Sequence, residues 1–139
     1  MQIATEVLEN RFVRLEPMGD QHKEALRAAC EADQDIWTRL YPFSWAGEHF
    51  EPTWTMLTTH IAQGQTIGFA AMVGKALAGL TCFSGMDAAN AVVEIGGTYY
   101  APDHRGGAVN PAAKRLMVGH AFACGARRVV YRVDALNAR

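Results

Sequence analysis

With 139 residues, half of them apolar and 19% charged, the chain has the composition of a soluble globular domain, with room for one core and not for two. No apolar run approaches the ~20 residues of a membrane span, and the opening MQIATEVLEN lacks the basic-then-apolar pattern of a signal peptide, so a cytoplasmic chain is expected. Three cysteines without CxxC spacing point to neither a disulfide framework nor a metal centre. Buried, inert thiols are expected for Cys30, Cys82 and Cys124.

Taken in chain order, Phe12–Leu15 reads as a first strand ended by Pro17. Asp20 is placed to cap a helix over 21–32 with Leu26, Ala29 and Cys30 on one face. Residues 33–50 are irregular and aromatic, with Trp37, Tyr41, Phe43, Trp45 and Phe50. Pro52 opens a second helix to about Gln63. The runs 66–73 and 77–84, split by Gly74-Lys75, form a hairpin. A turn at 87–90 leads into a strand over 92–100. Asn110 and Pro111 then stand where an N-cap and a first helical residue belong, and Gly125 closes that helix after an apolar stripe of Ala113, Leu116, Met117, His120, Ala121 and Cys124. His120, on that stripe, is expected to be a satisfied core histidine. A last strand is expected over Arg128–Val133.

The segment Glu94–Lys114, EIGGTYYAPDHRGGAVNPAAK, is the most informative part of the chain. A strand, a glycine turn and a helix N-terminus together gather backbone N–H groups and positive potential at one point, which suits a phosphate-bearing ligand. The loop lacks both the Lys-Ser/Thr of a P-loop and the GxGxxG of a dinucleotide fold. The uneven charge agrees with an anion site there. Residues 101–139 carry seven Lys/Arg against Asp103 and Asp134, whereas residues 1–100 carry six basic and twelve acidic groups. That asymmetry fits a polyanionic ligand in the C-terminal third and a cationic one elsewhere, and fits a scatter of surface charge equally. No basic run interleaved with aromatics points to nucleic acid.

Arg105-Gly106-Gly107-Ala108-Val109-Asn110, followed by Pro111-Ala112-Ala113-Lys114-Arg115-Leu116 and His120-Ala121-Phe122, resembles the acetyl-CoA loop and following helix of the GNAT N-acetyltransferases. Phe12-Val13-Arg14-Leu15-Glu16-Pro17, Glu94-Ile95-Gly96, Val133-Asp134 and Asn137-Ala138-Arg139 extend the resemblance over nearly the whole chain. It is nearest to the branch of the ribosomal-protein N-terminal acetyltransferases. The loop departs from the broad family pattern, with Ala108 and Asn110 where that pattern has glycine and a small residue.

The resemblance implies an α/β (α+β) GNAT fold, a mixed and mostly antiparallel sheet flanked by helices. It also implies a chain that ends before the family's last helix and two strands. Residues 129–133 then lie uncovered, and a homodimer or a strand-exchanged oligomer is expected to cover them. The implied reaction is direct transfer of acetyl from acetyl-CoA to a primary amine, either a protein N-terminus or a small molecule, with no metal. The alternative is a non-catalytic relative that binds coenzyme A or a partner only.

Several residues receive roles from that resemblance. Thr98, Tyr99 and Tyr100 are expected to line the cofactor arm where two strands splay apart. Arg105, Gly106, Gly107, Ala108, Val109 and Asn110 are expected to hold its diphosphate, and Asn137 to hydrogen-bond the arm. Trp45, flanked by Ser44 and Gly47, is expected in the acceptor pocket. Glu94 is the candidate base: a lone carboxylate in VVEIGGTYY is costly to bury unless it is partnered or functional. Strand alternation puts it on one face with Val92, Gly96, Thr98 and Tyr100, and the other reading is a carboxylate paired to an arginine. Lys114 is expected either at a phosphate or in solvent.

Overall fold

The computed structural model describes residues 1–137. Six strands form one sheet in sequence order, β1 (Leu8–Glu9), β2 (Arg14–Pro17), β3 (Ile67–Val73), β4 (Ala76–Asp87), β5 (Val92–Tyr100) and β6 (Arg128–Val130). The first five pair antiparallel, and β6 runs parallel to β5. That one parallel pair requires a crossover, supplied by the helix α4 (Val109–Ala123). Three further helices precede the hairpin: α1 (Lys23–Glu31), α2 (Ile36–Arg39) and α3 (Phe50–Ala62).

Apolar side chains fill both faces of the sheet. On one face Leu15, Phe69, Phe83, Val93 and Ile95 pack against Ala113, Met117 and Ala121 of α4. On the other, Leu80, Cys82 and Tyr99 pack against Leu26, Trp37, Phe50, Trp54 and Leu57. The sheet is therefore buried on both sides, as a sheet with an internal helical crossover must be.

The Gly74-Lys75 turn, the first hairpin strand and β5 lie where sequence places them, while β4 runs on from the expected end at Ser84 to Asp87. Other boundaries move for identifiable reasons. The first long strand is 14–17 rather than 12–15, because the Asn10 side chain accepts from the N–H groups of Phe12 and Val13 and holds those residues in a turn. The two-residue β1 leaves no periodic pattern and exists only through its pairing with β2. Asp20 does not cap α1. A short 3-10 turn over Asp20–His22 intervenes, and the His22 ring accepts from the Gly19 N–H at 3.0 Å instead. The aromatic segment contains α2, and the last strand stops at Val130 rather than Val133.

At α4 the sequence expectation is right at the end and late by two residues at the start. The helix begins at Val109 with Ala108 as N-cap, so Asn110 and Pro111 are its second and third residues. Its C-terminus closes as expected at Gly125, with Gly125 N–H donating to Phe122 O and Ala126 N–H to Ala121 O, both at 3.0 Å. His120 is satisfied, its ring nitrogens lying 2.8 Å from Ala4 O and 3.4 Å from Glu6 Oε1. Cys30 and Cys82 are buried and free, and burial pushes both thiols up to about 12, which leaves them inert.

Candidate active site

The cleft begins where β6 stops. Its three residues pair with Val92, Val93 and Glu94 only, so from Ile95 to Tyr100 the β6-side edge of β5 has no strand partner among the described residues. Side chains take two carbonyls along it, Thr98 O accepting from the Tyr41 hydroxyl and Tyr100 O from Arg105 Nε, both at 2.7 Å; an edge without a strand beside it is a template for an extended ligand. Opposite that edge, β5 pairs with β4 through a register shift between Leu80 and Cys82. The shift coincides with Gly97 at φ +58°, a backbone region that favours glycine.

This bulge changes which residues share a face. Val93 and Ile95 point to the α4 side, and so does Tyr100, five residues beyond Ile95; Tyr99 points to the opposite core. Strict alternation would have set Glu94, Thr98 and Tyr100 together. Instead, Thr98 faces α4, where its hydroxyl lies 2.8 Å from that of Thr81, and Glu94 faces the α1–α3 side. Tyr99 is buried, its hydroxyl donates to Ala29 O at 3.0 Å, and burial pushes it up to about 12. Tyr100 is buried with its hydroxyl unpartnered, and burial raises its pKa as well. The backbone of these residues forms the cleft edge, while the tyrosine rings serve the cores.

At the C-terminal end of β5 the chain passes through a 3-10 turn (Pro102–His104) into the loop 105–108 and then α4. Arg105 N–H donates to Pro102 O and Ala112 N–H to Ala108 O, whereas the N–H groups of Gly106, Gly107, Ala108, Val109 and Asn110 have no acceptor among the described residues. Pro111 carries no N–H, so the free donors converge on this one turn. Gly106 adopts φ +74°, which a β-branched residue tolerates poorly, and space around both glycines is open. Five free donors at the N-terminus of a 15-residue helix make a cradle of the kind that suits an anion.

The side chain of Arg105 does not join that cradle. It turns inward, with Nη1 2.6 Å from Asp33 Oδ2 and Nε donating to Tyr100 O at 2.7 Å. Asn137 comes to the same region from the far end of the chain. Together with Asp33, Asp35, Arg39, Arg105 and Leu136 it lines a pocket of about 350 Å³. Residues 138 and 139, the remainder of the Asn137-Ala138-Arg139 run, lie outside the described residues.

Glu94 lies at the other end of the unpaired edge, where β5, β6 and β4 still pair. Its side chain is 18% exposed, and Oε2 is 3.3 Å from Nε of Arg132, whose own side chain is 81% exposed. An ion pair with so exposed a partner holds the carboxylate weakly. Glycines keep the surroundings open: a methyl group at Gly96 would sit 3.2 Å from Oε1 and one at Gly85 3.7 Å from Oε2. The carboxylate is therefore part-buried and reachable, as a proton acceptor needs to be.

Two further expectations fail on geometry, beside that for the Arg105 side chain. Trp45 is 4% exposed and packs on Phe50 with ring centroids 5.7 Å apart, so it belongs to the core and offers no surface to an acceptor. Lys114 is neither at the anion cradle nor in solvent. Its Nζ donates to Thr98 Oγ1 at 2.6 Å and to Thr81 Oγ1 at 3.2 Å. In sequence a lysine one turn into such a helix reads equally as a phosphate contact or as a solvated side chain, and only the position of the sheet beneath it shows that it turns inward.

No protein-family model matches the chain, and no curated protein matches it in sequence. Solved structures do. A probable acetyltransferase of the GNAT family from Chromobacterium violaceum is similar at TM-score 0.86 and 24% identity, over 96% of this chain and 68% of that one. A putative acetyltransferase from T. thermophilus is similar at TM-score 0.83 and 28% identity, over 99% and 71%. RimJ of Mycobacterium smegmatis, in complex with CoA-disulfide, is similar at TM-score 0.79 and 18% identity, over 96% and 70%. No metal-binding cluster of His, Cys, Asp or Glu occurs among the described residues, and no helix among them is long and apolar enough to cross a membrane. The opened β5 edge, the donor-rich turn at its end and these similarities agree on one architecture: the chain has the GNAT acetyltransferase fold.

Proposed function

We propose that this chain is an acetyl-CoA-dependent N-acetyltransferase acting on a primary amine, akin to the ribosomal-protein N-terminal acetyltransferase branch. The observation that carries the reading is the run of five unpaired N–H groups from Gly106 to Asn110, placed where the open edge of β5 ends. A diphosphate matches such a cradle in charge and in number of acceptors, and an arm with amide groups matches the strand-free edge.

Acetyl-CoA supplies an activated acetyl thioester; the chain supplies binding, orientation and proton transfer. The cradle holds the diphosphate. The edge from Tyr100 toward Ile95 holds the arm as an added strand and leads it toward Glu94, about 20 Å away at the rise of extended backbone. The Glu94 carboxylate takes a proton from the incoming ammonium and leaves a neutral, nucleophilic amine. The acceptor approaches from the Arg132 side, where the carboxylate is open. A protein α-amine with a pKa of ~7.7–8.0 asks less of this base than an alkyl amine near ~10.4.

Calorimetry with coenzyme A, followed by an acetylation assay over peptide N-termini and small amines, tests the reading. Saturable coenzyme A binding that is lost in Gly106→Val, together with turnover on at least one amine, supports it. Binding without turnover on any amine reduces the chain to a coenzyme A-binding relative. Absence of binding removes the proposal.

A further inference from the structure

Lys114 projects from the second turn of α4 toward β5 and toward the chain just past β6. On the β5 side its Nζ donates to Thr98 and Thr81, whose hydroxyls lie 2.8 Å apart. On the β6 side the Tyr131 ring centroid is 5.8 Å from Nζ. No carboxylate among the described residues forms an ion pair with it. The other titratable groups that bear on it are the Cys82 thiol on β4 and the Tyr131 phenol just past β6, both neutral near pH 7. An enclosed ammonium without a counter-ion is costly. In this position it presents positive charge to whatever anion forms beside it.

We infer that Lys114 stabilises and protonates the thiolate that leaves when the acetyl group is transferred, with Thr98 and Thr81 fixing its direction. The inference rests on the acetyltransferase reading above and adds the leaving-group acid. As the acceptor nitrogen forms its bond to the acetyl carbon, the C–S bond breaks and its electron pair goes to sulfur. Lys114 delivers one proton to that sulfur, is left as a neutral amine, and regains a proton from solvent. The acceptor nitrogen sheds a second proton as the amide forms; that proton and the one Glu94 removed both return to solvent, one of them replacing the proton Lys114 gave up, so a cycle releases one proton net.

The tyrosines nearby are worse placed, because Tyr99 is committed to Ala29 on the opposite face and Tyr100 is buried among apolar side chains. Burial pulls the Lys114 ammonium down to about 8, with the Cys82 thiol opposing. An ordinary thiol titrates near ~8.5, so the two are closely matched for proton transfer.

The test is the thiol of bound coenzyme A, followed by ultraviolet absorbance of the thiolate against pH. In the wild-type chain the bound thiol should titrate about one unit or more below the free thiol, the shift expected from an adjacent cation. Lys114→Met should abolish the shift while coenzyme A still binds. Lys114→Arg should keep the shift, since the charge remains, yet lower turnover by ~10²-fold or more, since guanidinium does not release its proton. A wild-type bound thiol that titrates at or above the free value overturns the inference without recourse to any variant. An unchanged shift in Lys114→Met overturns it too. Failure of the wild-type chain to bind coenzyme A removes the acetyltransferase reading itself, which is a distinguishable result.

Discussion

Arg105 and Asp33 are tied across 72 residues by a 2.6 Å ion pair, with the guanidinium also 5.3 Å from the centroid of the Tyr99 ring. The side chain of the first residue of the glycine loop thus anchors that loop to the segment after α1. Arg105→Ala strands a part-buried carboxylate and should lower stability by about 2 kcal/mol. Its effect on coenzyme A affinity should be smaller than that of Gly106→Val, which forces a β-branched residue to φ +74° and crowds the donors. Urea denaturation and calorimetry on the two variants separate the roles. A larger loss of affinity in Arg105→Ala would place the arginine at the phosphate after all.

Glu94→Gln keeps the shape of the side chain and removes its basicity. Turnover at neutral pH should drop by ~10²-fold, with coenzyme A affinity nearly unchanged. The loss should shrink as the pH approaches the pKa of the acceptor, because the amine then deprotonates unaided. Rate profiles against pH for both proteins check this. A constant ratio at every pH, or a variant that fails to fold, marks Glu94 as a structural partner of Arg132.

Burial of Lys114 has a sign in stability. Its folded pKa of about 8 lies below the 10.5 of the exposed group, so between these values the unfolded chain binds more protons than the folded one. Stability contributed at this site therefore rises as the pH climbs through that window. The penalty is fully present below pH 8. Compared with Lys114→Met, the wild-type chain should gain about 2 kcal/mol between pH 7.5 and pH 10. The comparison is needed because the raised thiols and phenols of Cys30, Cys82, Tyr99 and Tyr100 act in the opposite direction in both proteins. A difference that stays flat with pH would mean that Lys114 is solvated.

β6 is an edge strand, and beyond it Tyr131, Val133 and Leu136 are 46%, 70% and 79% exposed. A free strand edge beside exposed apolar side chains favours pairing with another copy. Sedimentation of the 139-residue chain should show association that weakens on dilution and is suppressed by Val133→Lys with Leu136→Lys. A monomer at all concentrations would show that this surface is tolerated in water.

Elements with local signals were legible. The Gly74-Lys75 turn, the β5 run, the adjacent glycines at 106 and 107 and the Gly125 stop each depend on a few consecutive residues whose backbone preferences need no partner. The donor-rich turn follows from the same local grammar, even though α4 starts two residues earlier than Asn110-Pro111 indicates. The short β1 carried no such signal, since two residues adopt extended structure only because β2 lies beside them.

The chemistry of side chains was a tertiary matter. Alternation along β5 misplaces Thr98 relative to Glu94 because a bulge at Gly97 inserts one residue into the count, and a bulge is settled by pairing with β4. Arg105 takes a diphosphate role from the resemblance, and Lys114 is left between a phosphate and solvent. Their directions were set by Thr81, Thr98 and Asp33, which lie 16 to 72 residues away and meet them only when α4 and α1 pack onto the sheet. Trp45 passed for a pocket residue because its neighbours Ser44 and Gly47 are small and polar, yet Phe50 draws its ring into the core. By itself the sequence determined where backbone donors gather, because that is a property of turns and helix ends. Packing of distant elements decided which side chains reach the cleft, because a long side chain takes its direction from whichever partner the tertiary fold brings within hydrogen-bond range.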